Sequence, residues 1–157
     1  MNDLRTVVGR RAARGILIDD NGRLVLIKRT KPGQAPYWTA PGGGVEPEDA
    51  SVEDALRREL AEELGATAEG YQQVYLHSTP SQDGVAIQHF LVARLMSLDL
   101  ALRYGTEFTK PERGGYDLDR ISLHGDDVEQ IDLKPEALKT FVLENREALL
   151  AEAGHAG

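Results

Sequence analysis

Hydrophobic residues are concentrated in two short neighbouring segments near the start of the chain. The first segment covers residues 11–18 and the second, RLVLIKR, covers 23–29, with the turn signal DDNG between them. Short segments rich in Ile, Leu and Val that are joined by Asp, Asn and Gly are typical of the two strands of a β-hairpin. The pattern therefore predicts that the fold begins with a hairpin.

The second segment is apolar at every position from 24 to 27. Its even-numbered residues, Leu24 and Leu26, lie on the opposite face from the odd-numbered ones, because successive side chains of a strand point to opposite faces. A strand that is apolar on both faces needs cover on both sides. We therefore predict an α/β fold in which the sheet lies between helices.

Four later segments also indicate strands: a short one at 37–40, two at 73–79 and 85–96 that flank the turn signal TPSQDG, and one at 116–123. Two other segments have the apolar spacing of helices. The order of these elements predicts helices packed on a mixed sheet.

The first helix has apolar positions at Val52, Ala55, Leu56, Leu60 and Leu64. Ser51 precedes them as an N-cap, and Gly65 follows at the position where the backbone turns left-handed. A C-terminal helix is expected to begin at Pro135, with its buried stripe formed by Leu138, Phe141, Val142 and Leu149.

The first helix also repeats glutamate on one face, because Glu59, Glu62 and Glu63 are three and four residues apart. Two carboxylates about 6 Å apart repel by about 3 kcal/mol at an effective dielectric near 20. Two interpretations stay open. A divalent cation neutralises the cluster, or the face is solvated and Arg57 and Arg58 are ordinary ion-pair partners.

Three glycines precede this helix. Pro41 is followed by Gly42, Gly43 and Gly44, which free the backbone to approach a ligand and to aim carbonyl or N–H groups at it. Carboxylates alone cannot do this, so the glycines favour a ligand site at the start of the helix.

These residues resemble the signature of the Nudix hydrolase family, which would occupy residues 43–66. The segment RELAEELG at 58–65 matches the second half of that signature in full. A strict count puts Ala50 at the first glutamate of the signature, whereas alignment on PGG puts Asp49 there with one extra residue before the helix. We prefer Asp49, because one insertion at a loop–helix junction disturbs neither the helix register nor the glycine turn.

The resemblance implies the Nudix fold, an α/β/α sandwich with a mixed sheet, as one domain over residues 1–157. It also implies that water attacks a phosphorus atom and hydrolyses the pyrophosphate linkage of a nucleoside diphosphate joined to another moiety. The expected substrate is a small nucleotide, either a nucleoside triphosphate, a sugar nucleotide or a dinucleotide. Mg²⁺ is the expected cofactor and Mn²⁺ a substitute. The alternative function is a nucleotide-binding sensor of the same fold.

The resemblance further implies roles for single residues. The metal ligands would be the carbonyl oxygen of Gly42 and the carboxylates of Glu59, Glu62 and Glu63. Arg58 would orient these carboxylates by hydrogen bonding. The general base would be Glu62 or Glu107, and both alternatives stay open.

Candidate substrate-binding residues lie before the glycines. Arg14 and Arg29 are basic side chains that can reverse the sign of the field for an anionic substrate. Trp38 either stacks on a nucleobase or belongs to the core. His89 interrupts an apolar strand, either as a hydrogen-bonded residue of the core or cleft wall or as a substrate contact.

Composition limits the remaining classes. The 157 residues include 18 basic and 26 acidic side chains, and a net charge of −8 argues against general nucleic-acid binding. The chain has no cysteine, which excludes disulfides and cysteine-ligated zinc and argues against an isomerase of the same fold that uses a catalytic cysteine. No apolar run is long enough to span a membrane, and we expect a cytoplasmic protein. A homodimer is compatible with this sequence, which does not determine the oligomeric state.

Overall fold

A mixed β-sheet forms the centre of the fold. The computed structural model describes residues 7–82, 84–102 and 115–155. Within these ranges the strands are β1 (Val8–Ile18), β2 (Arg23–Thr30), β3 (Tyr37–Thr39), β4 (Gly42–Gly44), β5 (Ala66–Ser81), β6 (Gly84–Leu98), β7 (Gly115–Ser122) and β8 (Leu133–Lys134). The helices are α1 (Val52–Leu64), α2 (Glu136–Glu144) and α3 (Arg146–Glu152), and 3₁₀ turns occupy Leu100–Leu102 and Asp127–Gln130.

The strand order is β5–β6–β1–β2–β3–β8, with β4 paired to β1 and β7 paired to β2. β1 runs parallel to β6 and antiparallel to β2 and β4, and β3 runs parallel to β8. The middle of β1, residues 12–14, pairs with β4, whereas its last residue, Ile18, pairs with Leu24 of β2. The sheet has both parallel and antiparallel pairs, which confirms a mixed sheet. The glycine segment is part of this sheet, because β4 pairs with β1.

Apolar side chains cover both faces of this sheet. One cluster joins the sheet to α2 and α3 and includes Ile16, Leu24, Leu26, Phe90, Val92, Leu138, Val142 and Leu149. The other cluster joins the opposite face to α1 and includes Leu17, Val25, Ile27, Leu91, Ala93, Leu56, Leu60 and Leu64. The alternation predicted for residues 24–27 is confirmed, and so is the α/β/α sandwich.

Helix α1 begins and ends as its sequence predicts. The N–H of Asp54 donates to Oγ of Ser51 at 3.0 Å, so Ser51 is the N-cap. Gly65 is left-handed, with φ of 59°, and its N–H donates to the carbonyl of Ala61. These two caps set the register of the helix, and the register decides which way its glutamates point.

Two expectations need correction. The glycine segment is expected as a turn but forms strand β4, because residues without side chains can lie against β1 and under α1 at once. The C-terminal helix is expected to be continuous but divides into α2 and α3 at Asn145, whose amide Nδ2 donates to the carbonyl of Phe141 at 2.8 Å. Pro135 precedes the first residue of α2 and does not itself lie in the helix.

The predicted stripe of the C-terminal helices is buried at Leu138, Val142 and Leu149. Phe141 is half-buried and stacks on Tyr75 of β5, with 4.7 Å between the ring centroids. Among the helices of the described ranges, none has the length and hydropathy needed to cross a membrane.

Candidate functional site

Strand β4 and helix α1 meet at the glycines. The N–H of Gly42 donates to Oε1 of Glu63 at 3.0 Å in a buried hydrogen bond. A Cβ atom on Gly43 would lie 2.4 Å from the carboxyl carbon of Glu59. The carboxylates of Glu59 and Glu63 thus lie directly against the β4 backbone, and the lack of a side chain at Gly43 leaves room for Glu59.

Arg58 connects Glu59 and strand β4 to Asp49, in the loop before the helix. Its Nε and Nη2 donate to the two carboxylate oxygens of Asp49 at 3.1 and 2.9 Å, and Nη2 also donates to the carbonyl of Gly44 at 3.0 Å. Its Nη1 donates to Glu59 at 2.9 Å and, more weakly, to Glu62 at 3.4 Å. One guanidinium therefore orients three carboxylates and strand β4.

The two partners of the Arg58–Asp49 pair change each other's acidity. The hydrogen bond from Arg58, together with the N–H of Glu46, holds the pKa of the Asp49 carboxyl below its ordinary value. The same bond raises the pKa of Arg58, which is further supported by Glu59. Both groups are charged at neutral pH, as a bidentate arginine–carboxylate pair requires.

Asp49, and not Ala50, is therefore the partner that the loop supplies to Arg58. The side chain of Asp49 is 8% exposed, whereas Ala50 is exposed to solvent and makes no polar side-chain contact. This geometry agrees with the alignment that has one extra residue before the helix.

We predict that Asp49→Ala lowers kcat/KM by about tenfold, because Arg58 loses the bidentate partner that fixes its orientation toward Glu59 and Glu62. Ala50→Glu is the matched control and should leave kcat/KM and the melting temperature nearly unchanged. Steady-state kinetics and thermal unfolding of both variants check this. A silent Asp49→Ala beside a more active Ala50→Glu would instead support the strict count.

Glu63 is the most enclosed carboxylate at this contact. The residue is 2% exposed, and its Oε2 accepts a hydrogen bond from the hydroxyl of Tyr116 at 2.5 Å. The guanidinium of Arg29 lies 4.5 Å from the centroid of the Tyr116 ring. Nothing local in β2 or β7 indicates that they pair, so the sequence alone does not point to Tyr116 as a site residue.

Arg14 extends the site through β1. Its Nη1 donates to the carbonyl of Gly42 at 3.1 Å, and the carbonyl of Ala40 lies at 3.5 Å. The carbonyl expected as a metal ligand therefore already accepts a hydrogen bond, and a metal ion would use its second lone pair. Beside Arg14 is a cavity of about 210 Å³, lined by Arg10, Ala12, Arg14, Ala86, Ile87 and Gln88.

Trp38 belongs partly to the core. Its indole packs against the cluster that joins the sheet to α2 and α3, and its Nε1 donates to Asp119 at 2.8 Å. Nζ of Lys28 lies 5.4 Å from the centroid of the indole ring. These contacts fix the orientation of the ring, and its role as a substrate contact stays a prediction.

His89 is buried and hydrogen-bonded on both ring nitrogens. Its Nε2 lies 2.9 Å from Nη1 of Arg11, and its Nδ1 lies 2.8 Å from Oε1 of Gln73. Since arginine can only donate, Nε2 accepts and Nδ1–H donates, which is the neutral tautomer. Burial, together with the charge of Arg11, lowers the pKa of His89. These contacts are those expected of a hydrogen-bonded residue of the core or cleft wall.

The glutamates Glu59, Glu62 and Glu63 suit a hard divalent cation, because such ions prefer oxygen ligands. Each carboxylate has about four lone-pair sites, so it can bind an ion and still accept a hydrogen bond. In the part of the chain that the structure describes, no three His, Asp or Glu side chains form a ready-made metal cage. The side chain of Glu62 is 30% exposed, and its contact with Arg58 is longer than that of Glu59, so of these two it can more easily exchange this contact for another. The ligand assignments stay predictions, and Glu107 lies outside the described residues.

The comparison with protein families concerns this same part of the chain. The family model for the NUDIX domain matches residues 9–112, which include all of β1 but its first residue, together with β4 and α1. The chain belongs to the Nudix family. The resemblance found in the signature is thereby confirmed, and the contacts of Arg58 with Asp49, Glu59 and Glu62 are contacts within a Nudix signature.

Individual Nudix proteins support the same family and fold. The nucleoside triphosphatase NudI of Escherichia fergusonii is 48% identical over 54 residues, which cover 31% of this chain and 36% of that protein. The chain therefore matches little more than a third of the length of this relative.

Two solved structures resemble the fold over most of its length. An ADP compounds hydrolase has a TM-score of 0.67 and 24% identity, covering 95% of this chain and 77% of its own. A NUDIX hydrolase from Nitrosomonas europaea has a TM-score of 0.65 and 17% identity, covering 88% of both chains. At these identities the two likenesses show the fold alone.

Proposed function

We propose that this protein is a divalent-metal-dependent pyrophosphohydrolase that cleaves the phosphoanhydride linkage of a nucleoside triphosphate. The observation that carries the proposal is the Arg58 network, in which one guanidinium donates to Asp49, Glu59 and Glu62 and to the carbonyl of Gly44 in strand β4. The identity with nucleoside triphosphatase NudI supports a nucleoside triphosphate over a sugar nucleotide or a dinucleotide.

The protein's own part in this reaction is to hold charge in place. Glu59, Glu62 and Glu63, with the carbonyl of Gly42, would hold Mg²⁺ or Mn²⁺. When bound, such an ion supplies Lewis-acid stabilisation of the phosphate oxygens. The N–H of Gly42 and the hydroxyl of Tyr116 keep the carboxylate of Glu63 in one orientation. This preorganisation means that little rearrangement is needed when charge develops at phosphorus.

Among the described carboxylates, Glu62 is best placed to accept the proton of the attacking water. Its side chain is 30% exposed, compared with 13% for that of Glu59, and its contact with Arg58 is the longer of the two. A general base needs an accessible lone pair within hydrogen-bonding distance of water. We therefore assign Glu62 as the base, with Glu107 as the alternative.

The cavity beside Arg14 supports a place for the rest of the nucleotide. A volume of about 210 Å³ is below that of typical sites for drug-sized ligands. It suits a single planar ring, with Gln88 as donor and acceptor at its edge. Arg14 joins this cavity to the carbonyl of Gly42 and so links the two halves of the proposed site.

The proposal is tested with a panel of nucleoside triphosphates, an ADP-sugar and a dinucleotide, each assayed with Mg²⁺, with Mn²⁺ and with EDTA. We expect the highest kcat/KM for a nucleoside triphosphate, release of pyrophosphate and loss of activity in EDTA. Hydrolysis in ¹⁸O-labelled water should place the label on a phosphorus atom. Activity that persists in EDTA would contradict the proposal, and binding without turnover would point to a nucleotide sensor.

A further inference from the structure

Strand β5 forms an edge of the sheet. It pairs with β6 on one side, and within the described ranges no strand pairs with its other side. From Tyr75 to Ser81 each residue has a partner in β6 without a shift of register. The C-terminal half of β5, from Tyr75 to Ser81, is therefore a regular strand. The backbone N–H and C=O groups on the side away from β6 can pair with a further strand.

This edge has little of the protection that exposed edges usually carry. Residues 70–82 contain no Asp, Glu, Lys or Arg, in a chain of which 28% is charged. Natural proteins commonly place charged side chains, above all lysine, on an open edge to prevent pairing with another chain. Leu76 is instead 46% exposed there, and Pro80 interrupts the N–H series only near the end of the strand.

We propose that β5 is the surface through which two copies of this chain associate, by antiparallel pairing of β5 with β5 of the second copy. In a two-fold interface every residue of the segment lies near residues of the same segment. Because the net charge is −8, contact between charged surfaces of two copies brings like charges together. The neutral segment 70–82 avoids this repulsion, and the pairing covers the exposed side chain of Leu76.

The mass in solution tests this proposal, measured by sedimentation and light scattering from micromolar to millimolar protein. Wild type should have twice the 17.2 kDa of one chain. Leu76→Lys should be a monomer, because it adds a charge to the neutral segment of each copy and so brings two like charges into the interface. Met96→Lys is the matched control, since Met96 is 47% exposed but lies on β6, and it should remain a dimer. A monomeric wild type, or a dimeric Leu76→Lys, overturns the proposal.

Cross-linking provides a second measurement that does not depend on the lysine variant being folded. The chain has no cysteine, so every disulfide must come from an introduced thiol. Leu76→Cys, His77→Cys and Ser78→Cys, made separately and oxidised with copper-phenanthroline in air, should give covalent dimers. The highest yield should mark the residue nearest the two-fold axis, because a disulfide needs Cβ atoms about 4 Å apart. Yields no higher than that of Met96→Cys would overturn the pairing through β5.

Discussion

Glu62→Gln is expected to lower kcat by about 100-fold or more, because the amide keeps the shape of the side chain but removes the charge that a cation or the proton of water requires. The melting temperature should hardly change, since the side chain of Glu62 is 30% exposed and its contact with Arg58 is 3.4 Å long. Steady-state turnover of the best nucleotide in Mg²⁺, together with thermal unfolding, measures both effects.

Glu53→Gln is the matched control for this experiment. Glu53 lies on the same helix and pairs with Arg57, four residues later, at 3.0 Å, whereas Glu62 pairs with Arg58, four residues earlier, at 3.4 Å. The side chain of Glu53 is 43% exposed. This variant should keep kcat within about twofold, because exposed ion pairs contribute little. Normal turnover by Glu62→Gln, or an equal loss in Glu53→Gln, would remove the special role of Glu62.

Glu63→Gln should lose activity and stability together. The residue is 2% exposed and accepts hydrogen bonds from Gly42 and Tyr116. Replacing one carboxylate oxygen by NH₂ at such a position costs about 1–3 kcal/mol of unfolding free energy when a buried partner is left unsatisfied. Glu62→Gln, in contrast, should lose activity with little change in melting temperature. Comparing the two melting temperatures therefore shows that Glu63 also stabilises the fold and that Glu62 does not.

Local signals were sufficient to predict much of this molecule. The spacing of Leu56, Leu60 and Leu64, with Ser51 before and Gly65 after them, predicted α1 and the direction of its glutamates. Such features depend only on residues within a few positions of each other. The same holds for residues 24–27, whose alternation required helices on both faces of the sheet.

The parts that sequence did not predict depend on contacts between distant segments. Tyr116 reaches Glu63 only because β7 pairs with β2, which brings Tyr116 opposite Arg29. Arg14 reaches the carbonyl of Gly42 only because β4 is inserted beside β1. Periodicity describes one element at a time, and neither strand pairing has a local signature. Asp49 was predicted only in part. Alignment on the glycines placed it at the first glutamate of the signature, and its hydrogen bonds with Arg58 in the structure agree with that placement.

The three consecutive glycines offer a further test, because the structure gives each a different neighbour. Gly42→Ala should lower the unfolding free energy by about 3 kcal/mol, since its φ of 142° and a Cβ only 2.0 Å from the carbonyl of Ala13 force β4 away from β1. For a chain of this size the melting temperature should fall by roughly 6–12 °C, which thermal unfolding measures directly.

Gly43→Ala should lose activity while keeping its stability. Its Cβ would lie 2.4 Å from the carboxyl carbon of Glu59, which is the movable end of a side chain, so the fold can adapt while Glu59 is pushed away from β4. Displacement of such a group costs about 100-fold in kcat, with a melting temperature close to wild type. Gly44→Ala is the control, because the nearest atom to its Cβ is Nη2 of Arg10 at 3.9 Å, and it should be nearly silent in both measurements. If Gly43→Ala retained full kcat, the contact between Glu59 and β4 would have no part in catalysis.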